Sequence, residues 1–239
     1  DIAYHYDKYQ RGFSNMIDIF GADHGGYVKR MKAAVAALTG EKDALDIKLC
    51  QIVHLKKGGV PMRMSKRAGT FVTLRELIDE VGLDATRYFL IARGPNSQLT
   101  FDIDLALSQT NDNPVYYIQY AHARVCSLMR KLSDHGWQWQ SESALQHLHL
   151  LREEAEKALL RNLDRYPEMV ENAASNNEPH NIATYLRELA AEFHSYYNAH
   201  KMLLEDQDLR NARVALSVAV RQVLANGLDL LGVSSPEHM

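Results

Sequence analysis

The sequence predicts an α/β segment followed by an all-α helix bundle, mainly helical overall. Three observations carry this. Short apolar runs in the first seventy or so residues end at glycines and alternate with a helical pattern, the strand-loop-helix order of a parallel sheet. From about Leu105 onward only helical periodicity is readable. The later apolar stripes are long, amphipathic and joined by short loops, as in a bundle. The division is placed at 1–106 and 107–239.

Met16-Ile17-Asp18-Ile19-Phe20 is an apolar run ending at Gly21 and predicts a buried strand. Asp23-His24-Gly25-Gly26 leads into a helix whose face is Val28, Met31, Val35 and Leu38, with Gly40 as its stop. Ile47 to Leu55 reads as one strand, and Lys57-Gly58-Gly59-Val60 as a turn. Thr73-Leu74-Arg75-Glu76 is a capping box, with Leu74, Leu77, Ile78 and Val81 as the inner stripe and Gly82 as the end. Asp84 is expected to cap the next helix, which carries Tyr88, Phe89 and Ile91 until Gly94-Pro95-Asn96-Ser97 breaks it.

Asn113-Pro114 places a capping residue before a proline at the first helical position. That helix should reach about Leu132, with Val115, Ile118, Val125, Met129 and Leu132 in the core. Trp137-Gln138-Trp139 sits in a polar loop, with both rings expected to pack at the surface or between helices. Ser143 is expected to cap a helix through Leu163, and Pro167 interrupts or restarts it. Further helices are expected from about Asn181 to Leu204 and from Asp208 to Leu231, closed by Gly232. Glu153, Glu154 and Glu156 read as a solvated helix face.

Composition narrows the function. The 239 residues are 46% hydrophobic and 24% charged, an ordinary globular balance. There is no apolar run of membrane-spanning length. Net charge is −3, so any nucleic-acid surface must be local. Cys50 and Cys126 lack metal-type spacing and read as reduced thiols of a cytoplasmic protein. His147-Leu148-His149 gives no basis for a metal site. The chain opens in mid-pattern at Asp1, with no signal peptide, and is expected to lack its true N-terminus.

Pro61 to Thr70 sets Arg63, Lys66 and Arg67 beside Ser65 and Gly69. Two guanidiniums and an ammonium suit a polyphosphate whose charge builds up in reaction. Gly69 supplies backbone freedom for closing and opening. By itself the run also fits a solvated basic turn. Its Met64-Ser65-Lys66 resembles the Lys-Met-Ser-Lys-Ser signature of class I aminoacyl-tRNA synthetases, with Arg63 and Arg67 in the outer places.

Further segments resemble the arginyl-tRNA synthetases in particular. Asp1-Ile2-Ala3-Tyr4-His5-Tyr6-Asp7-Lys8 is similar to that family's Asp-Ile/Leu-Ala-Tyr-His-x-Asp-Lys. Gly21 to Tyr27 resembles its strand-end segment beside the amino acid and adenosine, although an Asp23-His24 pair also fits a helix cap. Leu83 to Phe89 resembles the Asp-Ala-Leu-Arg signature, with Thr86 in place of Leu and structural roles for Asp84 and Arg87. Asn113 to Arg124 is similar to the first anticodon-domain helix, with its Tyr-x-Gln-Tyr-Ala-His-x-Arg core. There Tyr117, Tyr120 and Arg124 can share a helix face, whereas Tyr116 is expected to turn into the core. Phe193 to Asn198 resembles a second anticodon-side aromatic site, assigned to Tyr197. The ending Pro236-Glu237-His238-Met239 resembles the family's Pro-x-x-Met.

The resemblance implies roles. Lys66, assisted by Arg63 and Arg67, would stabilise charge on pyrophosphate as ATP is split. Asp1, Asp23, His24, Ser65 and Met64 would line the arginine and ATP pocket. Tyr117, Tyr120, Arg124, Tyr197 and Met239 would meet the anticodon of the tRNA for arginine, through stacking and charge. ATP with Mg²⁺ would be a substrate, with no tightly bound cofactor, no resident metal and a monomeric state. The α/β segment would be a remnant of a class I Rossmann-type catalytic domain. His-x-Gly-His, the other class I signature, is absent from the sequence, so the chain is expected to be a fragment, inactive alone. Two alternatives stand beside an arginine–tRNA ligase: a tRNA anticodon-binding module without catalysis, and a helical interaction protein.

Overall fold

The structure, a computed structural model, describes residues 1–62 and 72–239. Its first unit is α1 (Ile2–Gln10), β1 (Met16–Gly21), a tight 3₁₀ stretch (Ala22–Tyr27), α2 (Val28–Thr39) and β2 (Leu45–Cys50). β1 and β2 run parallel, from Met16 opposite Leu45 to Gly21 opposite Cys50, joined by α2 as a crossover. α2 stops at Gly40, whose φ of 76° is left-handed. Met16, Met31, Val35, Ala44, Leu45 and Ile47 form a small core.

The expected burial of β1 is corrected. Met16 and Phe20 pack on that core, but Ile17 and Ile19, pointing to the opposite side of the pleat, are exposed. Leu38 is likewise exposed, so the face of α2 that packs inward is narrower than its apolar stripe.

The single strand expected over 47–55 is two strands in different sheets. β2 ends at Cys50, and β3 (Val53–Lys57) begins a second sheet of order β4-β3-β5. β4 (Val60–Pro61) pairs antiparallel with β3 across Gly58 and Gly59, both at positive φ. β5 (Leu99–Asp102), which sequence reading missed, pairs parallel with β3, Val53 opposite Leu99. Between them lie α3 (Leu74–Val81) and α4 (Leu83–Ile91). The Thr73–Glu76 capping box is present, yet Leu74 is exposed and Leu77 is the stripe's buried residue. Asp102 caps α5 (Ile103–Leu107) by accepting from the Leu105 amide.

The bundle comprises α6 (Pro114–Asp134), α7 (Ser141–Gln146), α8 (Glu154–Asp164), α9 (Tyr166–Asn176), α10 (His180–Ala199) and α11 (Gln207–Leu230). Asn113 Oδ1 accepts from the amides of Val115 at 3.2 Å and Tyr116 at 3.4 Å, with Pro114 in the first turn. The helix expected over 143–163 is broken. Ser143 lies inside α7, and α8 starts afresh at a Glu153–Glu156 capping box. Pro167 sits in the first turn of α9. α10 ends at Ala199, short of the expected Leu204. The loop beyond is held by α11: Arg213 Nη1 donates to Lys201 O at 3.0 Å, and Arg210 Nη1 to Glu205 O at 3.2 Å. The Arg210 guanidinium carbon also sits over Trp137, 3.9 Å from the ring centre.

Glu156 overturns the expected solvated face. It is fully buried. Its Oε1 accepts from Arg213 Nε at 2.9 Å and Tyr196 Oη at 3.1 Å.

One large core runs from Leu55 to Val233. It takes in Tyr88, Phe89, Phe101 and Ile103 together with the bundle residues. The apolar interior therefore breaks near residue 50, and the second sheet shares its core with the helices.

Candidate nucleic-acid interface

The bundle's aromatic face is built on α6. Residues four apart lie on one side of a helix, so Tyr116, Tyr120 and Arg124 form a ladder. The Tyr116 and Tyr120 rings stack 6.2 Å apart at 13°. This corrects the placing of Tyr116 in the core, away from the others: it is half-buried and belongs to the ladder.

Arg124 is clamped between two tyrosines from different helices. Its Cζ lies 4.8 Å from the Tyr120 ring centre and 4.9 Å from that of Tyr197 on α10. Nη2 donates to Tyr120 Oη at 3.2 Å; Nη1 donates to Asn198 Oδ1 and to His194 Nδ1, each at 3.1 Å. Tyr117 packs on the His194 ring at 4.5 Å, and its carbonyl accepts from His194 Nε2 at 3.1 Å. Burial pushes the Tyr197 hydroxyl above its ordinary pKa, against the opposing pull of Arg124. Burial, with the Arg124 charge, holds the His194 imidazole below its own, while the bond to the Tyr117 carbonyl works the other way.

Tyr120, Arg124 and Tyr197 open onto a cavity of about 360 Å³ lined also by Arg130, Lys131 and Met239. The C-terminal segment reaches it along a second face of α6. Ser234 is tied to Asp84, whose Oδ1 accepts from the Ser234 amide at 3.0 Å and whose other oxygen accepts from its hydroxyl. Gln119 Nε2 donates to Asp84 Oδ2 at 2.8 Å and to Ser234 O at 3.0 Å. His122 Nδ1 donates to Pro236 O at 2.9 Å, and both Arg130 terminal nitrogens donate to Glu237 O at 3.3 Å. Residues 119, 122 and 130 form a rail along the helix.

The expected cap by Asp84 is thereby corrected: Gly82 is the cap of α4, and the carboxylate holds the tail. Arg87, expected to pair with a neighbour, donates from Nε to Leu231 O at 2.9 Å. The tail-holding parts of Gln119 and His122 were missed, although both lie in the Tyr-x-Gln-Tyr-Ala-His-x-Arg run. Two polar side chains turned toward the buried side of an amphipathic helix were the available signal.

The structure thus brings Tyr120, Arg124, Tyr197 and Met239 into one cavity and sets Tyr117 beside it through His194. Asp1, Asp23 and His24 lie on the other unit. Asp1 precedes α1, exposed, with no capping bond from its side chain. Asp23 and His24 follow the end of β1, 3.6 Å apart. His24 leans on Phe20 and Tyr27. Sequence reading overlooked His5, whose ring nitrogens meet the Asp1 carbonyl at 2.8 Å and Asp18 Oδ2 at 2.6 Å. Arg63, Met64, Ser65, Lys66 and Arg67 lie outside the described residues. Among the described residues no cluster of three or more His, Cys, Asp or Glu is placed to hold a metal ion. Nor is any helix there long and apolar enough to cross a membrane.

A parallel α/β segment leading into a helical bundle is the fold of a class I synthetase's Rossmann-type segment and the helical domain after it. The model of the DALR anticodon binding domain family matches residues 118–239, and the chain belongs to that family. It is 55% identical, over its whole length, to an arginine–tRNA ligase of Legionella pneumophila (strain Corby), of which it covers 41%. A Campylobacter jejuni crystal structure, provisionally named an arginyl-tRNA synthetase, is 32% identical with a TM-score of 0.87. The match covers all of this chain and 51% of that one. The Thermus thermophilus arginyl-tRNA synthetase is 26% identical with a TM-score of 0.75, over 95% of this chain and 41% of that one. The chain spans about two fifths of the length of the curated relatives it matches. Its fold is that of the Rossmann-type segment and helical bundle of class I synthetases.

Proposed function

We propose that the chain serves an arginine–tRNA ligase, which joins arginine to its tRNA through arginyl-adenylate at the expense of ATP. The observation that supports this best is the cavity uniting Tyr120, Arg124, Tyr197 and Met239. Bases have a π-face and phosphates a charge, and this cavity offers rings and guanidiniums together. In this reading residues 107–239 take the anticodon of the tRNA for arginine. Residues 1–106 contribute one side of the catalytic domain, with Asp1, Asp23 and His24 toward arginine and ATP. Met64 and Ser65 join that pocket. Lys66, with Arg63 and Arg67, steadies the pyrophosphate as it leaves. Magnesium enters with ATP as substrate. The protein works in the cytoplasm as a monomer.

Arginine-dependent ATP–pyrophosphate exchange tests the reading. None is expected from the chain alone. Exchange is expected when a segment carrying His-x-Gly-His is fused ahead of Asp1. A fused protein that folds and binds tRNA yet shows no exchange would mean that the chain is an anticodon-binding module only.

A further inference from the structure

We propose that His194 is the positioning residue of the ringed cavity: as a neutral imidazole with its proton on Nε2 it holds Arg124 between Tyr120 and Tyr197, and a second proton releases that hold. The inference rests on reading the cavity as an RNA site.

The tautomer follows from the partners. Nε2 faces the Tyr117 carbonyl at 3.1 Å, which can only accept, so Nε2 carries hydrogen. Nδ1 faces Arg124 Nη1 at 3.1 Å, which can only donate, so Nδ1 must present its lone pair. A proton on Nδ1 would remove that bond and set two cations against each other at contact distance. The ring is buried and stacks on Tyr120 at 5.3 Å, so it cannot swing away without opening the aromatic face. From α6 it faces Arg124, Tyr117 and Tyr120; from its own helix it meets Phe193, and Tyr197 lies across Arg124. Among the described residues no carboxylate lies within ion-pair distance of it to stabilise an imidazolium. The downward displacement of its pKa agrees with this surrounding. Without that bond Arg124 keeps only Asn198 at Nη1 and Tyr120 at Nη2, and its charge and plane are less firmly set for a base or phosphate.

The test is binding of this chain to an RNA stem-loop bearing an arginine anticodon, at fixed salt, from about pH 8 to about pH 5.5. Wild-type affinity should fall on acidification. His194→Asn keeps an acceptor for Arg124 and cannot gain a proton. It should bind as wild type at the alkaline end and lose less affinity toward acid. His194→Phe keeps the ring but has no acceptor, and should bind about tenfold more weakly than wild type at the alkaline end, with the gap closing as the wild type is acidified. Identical pH profiles for wild type and His194→Asn, with the stem-loop bound, would overturn the proposal and leave the cavity reading intact. No preference for this stem-loop over one with a scrambled loop would instead overturn the cavity reading. Imidazole ¹⁵N spectra of the wild type give a measurement independent of any variant's folding: Nε2–H at neutral pH is expected, and Nδ1–H would refute the assignment.

Discussion

Glu156→Ala is the sharpest test of how the bundle is held together. The carboxylate is fully buried and serves three donors: Arg213 Nε at 2.9 Å, Tyr196 Oη at 3.1 Å and the Glu153 amide at 3.0 Å. The Arg213 side chain is only 10% exposed, so the substitution strands a guanidinium in the interior, partly consoled by Lys201 O. Removing one partner of a buried pair costs about 3–5 kcal/mol, and an orphaned buried hydroxyl alone about 1–3 kcal/mol. Because one carboxylate serves all three donors, these costs overlap, and the expected loss is about 3–5 kcal/mol. That is a third or more of a typical domain's stability, and about 10 °C or more in Tm. Urea unfolding followed by far-UV circular dichroism measures it as a shift in midpoint at unchanged slope. A loss below about 1 kcal/mol, the value of an exposed pair, would refute the buried-network account. The double variant Glu156→Leu, Arg213→Met removes both charges together and should be much less harmful than Glu156→Ala.

Other consequences are as direct. Gly232 has φ +65°, and an added Cβ would lie 2.5 Å from Arg87 Nε, so Gly232→Ala should cost about 1–3 kcal/mol and displace the tail that brings Met239 to the cavity. Limited proteolysis of the C-terminus should then accelerate. Tyr197→Ala should weaken stem-loop binding by about 1–3 kcal/mol, the loss of one stack, and unchanged affinity in a folded variant would remove that ring from the site. Asp102 is held below the usual carboxylate range first by the Lys56 ammonium at 2.7 Å, then by the Leu105 and Asp104 amides, against the opposing effect of burial. Its stabilisation is therefore present above that range and lost as pH falls from it through the carboxylate's own lower pKa. Asp102→Asn, which can still cap α5, should flatten the fall in urea midpoint between about pH 5 and pH 3.

Much of the bundle was legible because its signals are local. Asn113-Pro114, Pro167 and Gly232 each mark a helix end through their own backbone chemistry, and each does so in the structure. The capping box at Thr73 is equally self-contained. What could not be read depends on partners distant in sequence. Glu156 looks like its charged neighbours until α10 and α11 supply Tyr196 and Arg213. Asp84 has the form of a cap, but the chain brings Ser234 to it from the far end. β5 is too short to announce itself, and only its pairing with β3 makes it a strand. The 47–55 run holds no glycine or proline to mark a break, and periodicity cannot show that Gln51 and Ile52 pass it from one sheet to another. In the cavity, Tyr120 and Arg124 were visible from helical spacing. His194 was not singled out, because its role comes from two bonds across helices.

The sharing of one core by the second sheet and the helices has a mechanical meaning. Met62, the last described residue before the basic stretch, and Val72, the first after it, both pack against the large core. Both anchors of that stretch therefore belong to the same body as α6 and α10. The passage from Cys50 to Val53, by contrast, leads into the other body. If the two bodies pivot about that passage, Met62 and Val72 travel with the body that carries the ringed cavity, like a latch mounted on the door instead of the frame.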